Sequence, residues 1–303
     1  MGRTDILRNT AFLAVITCVA GSCLTGKTTE IPSFDRDRAF RYIEHQVSLG
    51  PRVPGTKAHN DALNWIVERL REQTSLVKIQ PFNGIYAGNE ITMQNIIATF
   101  YPEKTNRILL CAHWDSRHHA DRDPDSTKWT EPVPGANDGA SGVAVLLEIS
   151  AALVKKEPPV GVDIAFFDGE DGGSYGDNST WLLGSRYFAE IMPSSFRPSY
   201  ALLIDMIGDK NLSLSKDVNS MLSAPALWSR IEKACAEIPV SISPGEHDIT
   251  DDHIPLIERG IPSVDLIDFD YPSWHTVSDT PDKCSAESLG KIGELVLTIV
   301  YGE

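Results

Sequence analysis

The chain lacks paired cysteines, and with them any disulfide framework. Its five cysteines are scattered: Cys18 and Cys23 lie near the start, and Cys111, Cys235 and Cys284 show no paired spacing. Soft thiolate metal chemistry and a catalytic cysteine are excluded on the same ground, and Cys111, inside the apolar run Ile108 to Ala112, is expected to be a small buried hydrophobe. Clustered Lys and Arg are absent too. The formal net charge is -15 and the pI about 4.9, which argues against nucleic acid as a partner, because phosphate binding depends on such clusters. No apolar run reaches the roughly twenty residues needed to span a bilayer. There is no low-complexity tract and no internal repeat.

What is present is enough apolar sequence for one large core: 303 residues, 42% hydrophobic and 23% charged. The first residues stand apart. Arg3 and Arg8 precede the apolar stretch Ala11 to Ala20, which ends in Gly21, Ser22 and Cys23. An h-region of about ten residues fits a cleaved secretory signal better than an anchor helix, with an ordinary N-terminal helix as the plain alternative. The stretch Ala20-Gly21-Ser22-Cys23 also resembles a bacterial lipoprotein processing site, with Cys23 as the acylated residue. The expected organisation is a signal over 1–22, a linker over 23–35 and a single catalytic domain over 36–303. The expected location is the periplasm or cell envelope, with membrane contact only through a lipid at Cys23.

Hydrophobic spacing orders the rest. Arg36 to Leu49 and Thr56 to Gln73 have helical periodicity, and Leu76 to Phe82 and Thr92 to Tyr101 read as strands paired near a sheet edge. Strand-like runs at Arg107 to His113, Val162 to Phe167, Tyr200 to Met206 and Ser263 to Ile267 then alternate with helical runs at Gly142 to Lys155, Trp181 to Ile191, Ala224 to Glu237 and Ser285 to Val300. This βα alternation predicts an α/β fold in three layers, a mixed, mostly parallel central sheet with helices on both faces. The longest stretches without periodicity are 118–135, 172–180 and 209–224; the first two leave the same edge and are expected to wall a pocket.

Polar residues recur where the apolar runs end: His113, Asp138, Glu170, Asp171, Asp205 and His275. In an open α/β fold, strand ends converge on a crevice, so the pattern predicts a metal site at one edge of the sheet. Glu170 and Asp171 follow a buried strand directly, and adjacent acids repel unless a cation lies beside them. One carboxylate would coordinate and its neighbour would hold a proton-transfer position; the plain alternative is a solvated acidic turn. Asp138, in the run Gly135 to Gly142, is either a ligand or a helix N-cap. His113 is either a ligand or a satisfied structural residue. Asp205 is a buried carboxylate in need of a partner. Trp274 directly before His275 sets an apolar platform beside a candidate ligand, or is simply core. His118, His119 and His247 lie in hydrophilic stretches and are expected at the surface. A His and carboxylate donor set drawn from separate strand ends suits zinc.

The ordered series His113-Trp114-Asp115-Ser116, Ala136 to Gly142, Phe167 to Asp171, Asp205, Asp251-Asp252-His253-Ile254-Pro255 and Trp274-His275-Thr276 resembles the zinc exopeptidase superfamily of M28 type. Within it the chain is most similar to the glutaminyl-peptide cyclotransferases, over about residues 36 to 301. That resemblance implies Asp138, Asp171 and His275 as ligands of one zinc, Glu170 as the proton-transfer residue, Asp205 and Asp251 as further acidic active-site residues, and Trp274 against the substrate side chain. It implies peptide or protein N-termini bearing glutamine as partners. Aminopeptidases of the superfamily hold a second metal through residues matching His113 and Asp205, with Asp138 bridging, so a two-zinc aminopeptidase hydrolysing N-terminal residues stays open. A binding module that keeps the fold without turnover is the reading from another class. Two positions depart from animal cyclases: Asp171 is one methylene shorter than the usual Glu, and Asp265 is more acidic than expected.

Overall fold

Two capped helices open the folded part of the chain. The Asp35 carboxylate accepts the Arg38 N–H at 2.9 Å and starts α1 (Arg36–Ser48), and the Thr56 hydroxyl accepts the His59 N–H at 3.2 Å and starts α2 (Lys57–Arg71). The coordinates are a computed structural model that describes residues 1, 2 and 30–303. The expected signal segment, apart from its first two residues, and Cys23 fall outside the described residues. None of the described helices is long and apolar enough to cross a membrane.

β1 (Val77–Tyr86) and β2 (Asn89–Phe100) form an antiparallel hairpin closed by Ala87 and Gly88, both at positive φ (49° and 78°), the backbone a tight two-residue turn requires. β3 (Arg107–His113), α3 (Ala140–Lys155), β4 (Gly161–Phe167), α4 (Leu183–Ile191) and β5 (Ala201–Asp205) follow. Next come β6 (Ser213–Asp217), α5 (Val218–Ser223), α6 (Pro225–Glu237), β7 (Ser241–His247), α7 (His253–Glu258), β8 (Ser263–Ile267) and α8 (Ala286–Tyr301). The main sheet has the order β1-β2-β4-β3-β5-β8, with β4, β3, β5 and β8 mutually parallel and the hairpin added antiparallel at one edge. This is the expected mixed, mostly parallel sheet.

Alternation along the strands shows the layers. Ile108, Leu110 and Ala112 face a core shared with α1, α2, α3 and α8, whereas Leu109, Cys111, Phe167 and Leu203 face a second core with Phe188 of α4 and Leu256 of α7. Cys111 is fully buried, as its apolar run implied, and Cys111, Cys235 and Cys284 are all free. Within α3, fully buried Glu148 is neutralised by Arg38, at 2.6 Å to Oε1, and accepts the Asp35 N–H at 3.2 Å.

The stretch 209–224 does not remain irregular: it holds β6 and α5, and β6 pairs in parallel with β7 as a separate two-stranded sheet. α7 was likewise not legible, since six residues with Pro255 inside are too few to display a period. α3 begins two residues before the first periodic residue, because Gly142 sits where the helix crosses the sheet. A Cβ there would lie 2.1 Å from the Ile204 carbonyl oxygen and 2.9 Å from Ala112 Cβ. Gly142→Ala is therefore expected to lower folding stability by about 1–3 kcal/mol, the usual cost of overpacking. Urea unfolding measures this, and an unchanged midpoint would show that α3 can shift outward freely.

The four parallel strands all point their C-terminal ends at one edge of the sheet. His113 ends β3 and Asp205 ends β5, Asp168 to Asp171 follow β4, and the loop to Trp274 and His275 follows β8. That edge is where an open α/β sheet offers a crevice.

Candidate active site

Two buried carboxylates fix the backbone of the turns that carry Glu170, Asp171 and Asp138. The fully buried Asp115 carboxylate accepts the N–H groups of Glu170 (3.1 Å) and Asp171 (3.2 Å), fixing the turn after β4. Gly169 makes that turn possible, with φ at 70° and the Met93 sulfur 2.5 Å from where a Cβ would sit. Asp279, also fully buried, does the same for the loop before α3, accepting from Asn137 N at 2.8 Å and Asp138 N at 3.1 Å. Burial, with the Asp138 charge next to it, pushes Asp279 up to about 7. His275 adopts a left-handed backbone, φ 55°, and Met206 after Asp205 another at 46°. For non-glycine residues this conformation costs energy and turns the side chain out of the strand direction.

Six of the candidates from the strand ends converge. His275 Nε2 lies 3.2 Å from Asp171 Oδ1 and 3.7 Å from Asp138 Oδ2. On the other side of Asp138, His113 Nε2 lies 3.0 Å from Asp138 Oδ1 and 3.1 Å from Asp205 Oδ1. Glu170 Oε2 stands 4.0 Å from His113 Nδ1. Two clusters able to hold a metal ion result, Asp138-Asp171-His275 and His113-Asp138-Asp205, with Asp138 common to both. Asp171 is 1% exposed, so a solvated acidic turn is the wrong picture. Nor is Asp138 a helix cap: the N-cap of α3 is Gly139, without a side-chain bond.

The donor set fits a divalent cation. Asp138 Oδ2 and Asp171 Oδ2 are buried and have no hydrogen-bond partner, as does Nδ1 of His113. Buried carboxylate oxygens without partners are costly unless a cation meets them. The charge balance carries the same strain. Burial raises Asp138, helped by the nearby Asp171 and Asp205 and opposed by His113. Burial opposes protonation of His275, but Asp171, Asp121 and Asp138 outweigh it and raise the imidazole to about 9. His113 is raised well above its ordinary value in spite of burial, chiefly by Asp205, Asp115 and Asp138. The two imidazoles are acting as counter-ions to the carboxylates, a part a metal ion would take over.

Glu170 is held apart from these groups in protonation. Burial, opposed by His113 and reinforced by Asp251, Asp171 and Asp252, raises it well above the usual carboxylate range. Asp251, just before α7, is raised well above that range by burial, Asp205 and Asp252. Asp265 on β8 is buried with both oxygens unpartnered, and its nearest imidazole nitrogen, His253 Nδ1, is 4.0 Å away. Burial, with Asp251 and Asp205, raises Asp265 strongly.

A cavity of about 260 Å³ opens over the cluster, lined by Glu170, Asp171, Asp205, Asp251, Trp274 and His275 among others. Trp274 packs against His275 with ring centroids 4.0 Å apart and against Phe269 at 5.3 Å. Tyr175 and Trp181, from the 172–180 loop and the start of the following segment, complete the wall, as that loop's lack of periodicity suggested. The 118–135 loop contributes differently. Arg117, just before it, is fully buried and reaches Asp171, and Asp121 within it reaches His275. His118 and His119 are half-buried rather than surface residues: the loop folds inward, and His118 stands edge-on to Tyr86 at 5.5 Å. His247, on β7, is half-buried too, against Phe269. Asp115, Arg117, Asp121 and Asp279 had no assigned part in the sequence reading. A buried acid directly after a strand end was the available signal for Asp115; nothing local distinguishes Asp121.

Comparison with known proteins places this geometry. The chain resembles the crystal structure of Tannerella forsythia glutaminyl cyclase with a TM-score of 0.85 and 37% identity, over 90% of this chain and 100% of that one. It resembles a leucine aminopeptidase precursor from Bacteroides thetaiotaomicron with a TM-score of 0.86 and 35% identity, over 91% and 99% of the two chains. Among curated proteins, the glutaminyl-peptide cyclotransferase-like protein of Mus musculus is 28% identical over 263 residues, 76% of this chain and 66% of that protein's length. The sequence profile of peptidase family M28 matches residues 95–300, from β2 to the end of α8 and so across every strand end that builds the cavity. By fold, by site geometry and by this match, the chain belongs to peptidase family M28.

Proposed function

We propose that the chain is a zinc-dependent glutaminyl-peptide cyclotransferase, which converts N-terminal glutamine of peptides or proteins to pyroglutamate and releases ammonia. The observation that carries this is the convergence of Asp138, Asp171 and His275 beneath a small cavity, with Glu170 beside them and Trp274 as its wall. Cyclases among the similar structures and curated relatives support it. Asp138, Asp171 and His275 would hold the zinc. When bound, the ion supplies Lewis-acid polarisation of a carbonyl oxygen.

The protein's own residues do the rest. Trp274 offers an apolar face against which a glutaminyl side chain bends toward its own α-amine, so nucleophile and electrophile meet within one residue. Glu170 takes a proton from the attacking amine as the new C–N bond forms, then gives it to the departing amide nitrogen as the old C–N bond breaks. A carboxyl raised above its ordinary range is suited to both halves of that exchange. Asp205 and Asp251 line the same cavity as Glu170, and Asp251, raised like Glu170, is a second carboxyl able to hold a proton beside it. Catalysis needs no water, and the cavity is small enough to exclude most of it once filled.

His113 and Asp205 complete a second donor group with Asp138, the observation that keeps a two-zinc aminopeptidase in view. We favour a single zinc, because the buried carboxylate oxygens left without a partner, Asp138 Oδ2 and Asp171 Oδ2, both belong to the His275 group. A peptide beginning with glutamine, incubated with the enzyme and followed by mass spectrometry, decides between them. Loss of ammonia with chain length retained is expected; loss of a whole residue would overturn the cyclase reading. Export, and lipid attachment at Cys23, belong to the same proposal as the route by which the enzyme reaches extracytoplasmic peptides.

A further inference from the structure

His275 has two faces. Its Nε2 looks toward Asp171 and Asp138, and its Nδ1 looks the other way, 3.3 Å from the Tyr175 hydroxyl and 3.6 Å from Asp121 Oδ1. The Asp121 carboxylate can only accept, and the Tyr175 oxygen already accepts from Arg122 Nε at 3.1 Å. The Tyr175 O–H can still turn either way, so the acceptor-only Asp121 is the neighbour that calls for a proton on that nitrogen. That leaves the lone pair of Nε2 directed at the two candidate ligand carboxylates, the tautomer a metal-binding histidine needs.

Asp121 is itself held by a second group. Arg117 donates Nε to Asp121 Oδ1 and Nη2 to Asp121 Oδ2, each at 2.8 Å, a bidentate pair whose Arg side chain is fully buried. The same guanidinium donates Nη1 to the Asp171 carbonyl oxygen at 3.0 Å and to Asp171 Oδ1 at 3.1 Å. Its Cζ lies 4.8 Å from the centre of the Trp181 ring, which is nearly parallel to His275 at 6.3 Å between centres. With Oδ1 engaged by Arg117, the Asp171 Oδ2 atom is left buried and without a partner. One carboxylate from the 118–135 loop thus orients the imidazole of one candidate ligand directly and the carboxylate of another through Arg117.

We infer that Asp121 is a positioning residue of the metal site, setting His275 in the Nδ1–H form and, through Arg117, the orientation of Asp171. The inference rests on the zinc reading above and goes beyond it, since Asp121 touches neither the ion's side of His275 nor the substrate cavity. Zinc affinity of the full chain, read by competition with a chromophoric chelator, tests it. Asp121→Asn is expected to weaken zinc binding by about 10- to 100-fold, the range for loss of an outer-shell partner. Affinity within twofold of the unsubstituted protein would overturn the inference. Because the substitution strips a buried guanidinium of its carboxylate and so also weakens the loop, nitrogen-15 NMR of unsubstituted, zinc-loaded protein provides the second arm. A His275 protonated at Nδ1 supports the assignment, and one protonated at Nε2 overturns it. If the unsubstituted protein binds no zinc, or if His275→Ala binds it equally well, the zinc reading and this inference fall together. Loss of zinc in His275→Ala with full affinity in Asp121→Asn removes Asp121 alone.

Discussion

Glu170→Gln is expected to reduce kcat for cyclisation by about 10²- to 10⁴-fold while leaving zinc content and KM close to those of the unsubstituted enzyme. The substitution keeps the shape of the side chain and removes only its capacity to carry a proton between amine and leaving nitrogen. The Glu170 N–H, not its side chain, is what Asp115 holds, so the turn after β4 survives. Burial and the surrounding carboxylates already favour the neutral form of this group, so an uncharged isostere is tolerated by the fold. Steady-state kinetics together with metal analysis checks the expectation. Turnover near the original rate would remove Glu170 from the mechanism, and loss of zinc along with activity would make it a ligand instead.

The second large effect concerns the metal. His275→Ala takes away the only imidazole of the Asp138-Asp171-His275 group and leaves two carboxylates facing each other across the gap. Zinc binding is expected to fall by more than the roughly 10- to 100-fold that follows loss of an outer-shell partner, and activity with it. The folded protein is also expected to lose stability at neutral pH, because the raised imidazole offsets the charge of Asp171. That imidazole's contribution is fully present at pH values below its ordinary pKa and fades as pH rises through about 9, so in metal-free protein the stability gap between the two forms should narrow in alkali. Metal content after dialysis, and thermal unfolding with and without zinc, measure both effects. An unchanged zinc content would show that the three residues do not share an ion.

Much of this site could be read before any coordinate. The runs that become β3, β4, β5 and β8 are predominantly apolar stretches of the length of buried strands, and each hands over to a polar residue. Those handovers are the ends of parallel strands, and parallel strands bring their C-terminal ends to one side whatever the details of packing. His113, Asp205 and the Glu170-Asp171 pair are therefore neighbours as soon as the sheet order puts β3 between β4 and β5. The limits were equally physical. β6 and β7 are short, partly exposed and carry Lys, Pro and Gly, so neither alternation nor apolar content marks them. Their pairing is made by segments far apart in the chain.

The order of buried and exposed residues is a local property, because a strand or helix buries one face regardless of what covers it; that is why the layers, the edge carrying the site and the chemical identity of its donors followed from residue pattern alone. Pairing between loops is not local. Arg117 meets Asp171 across 54 positions, His275 meets Asp121 across 154, and Asp279 reaches back to Asp138 across 141. In sequence these are unremarked charges in polar stretches. Only the folded chain, by burying them together away from water, turns them into the groups that aim each candidate ligand.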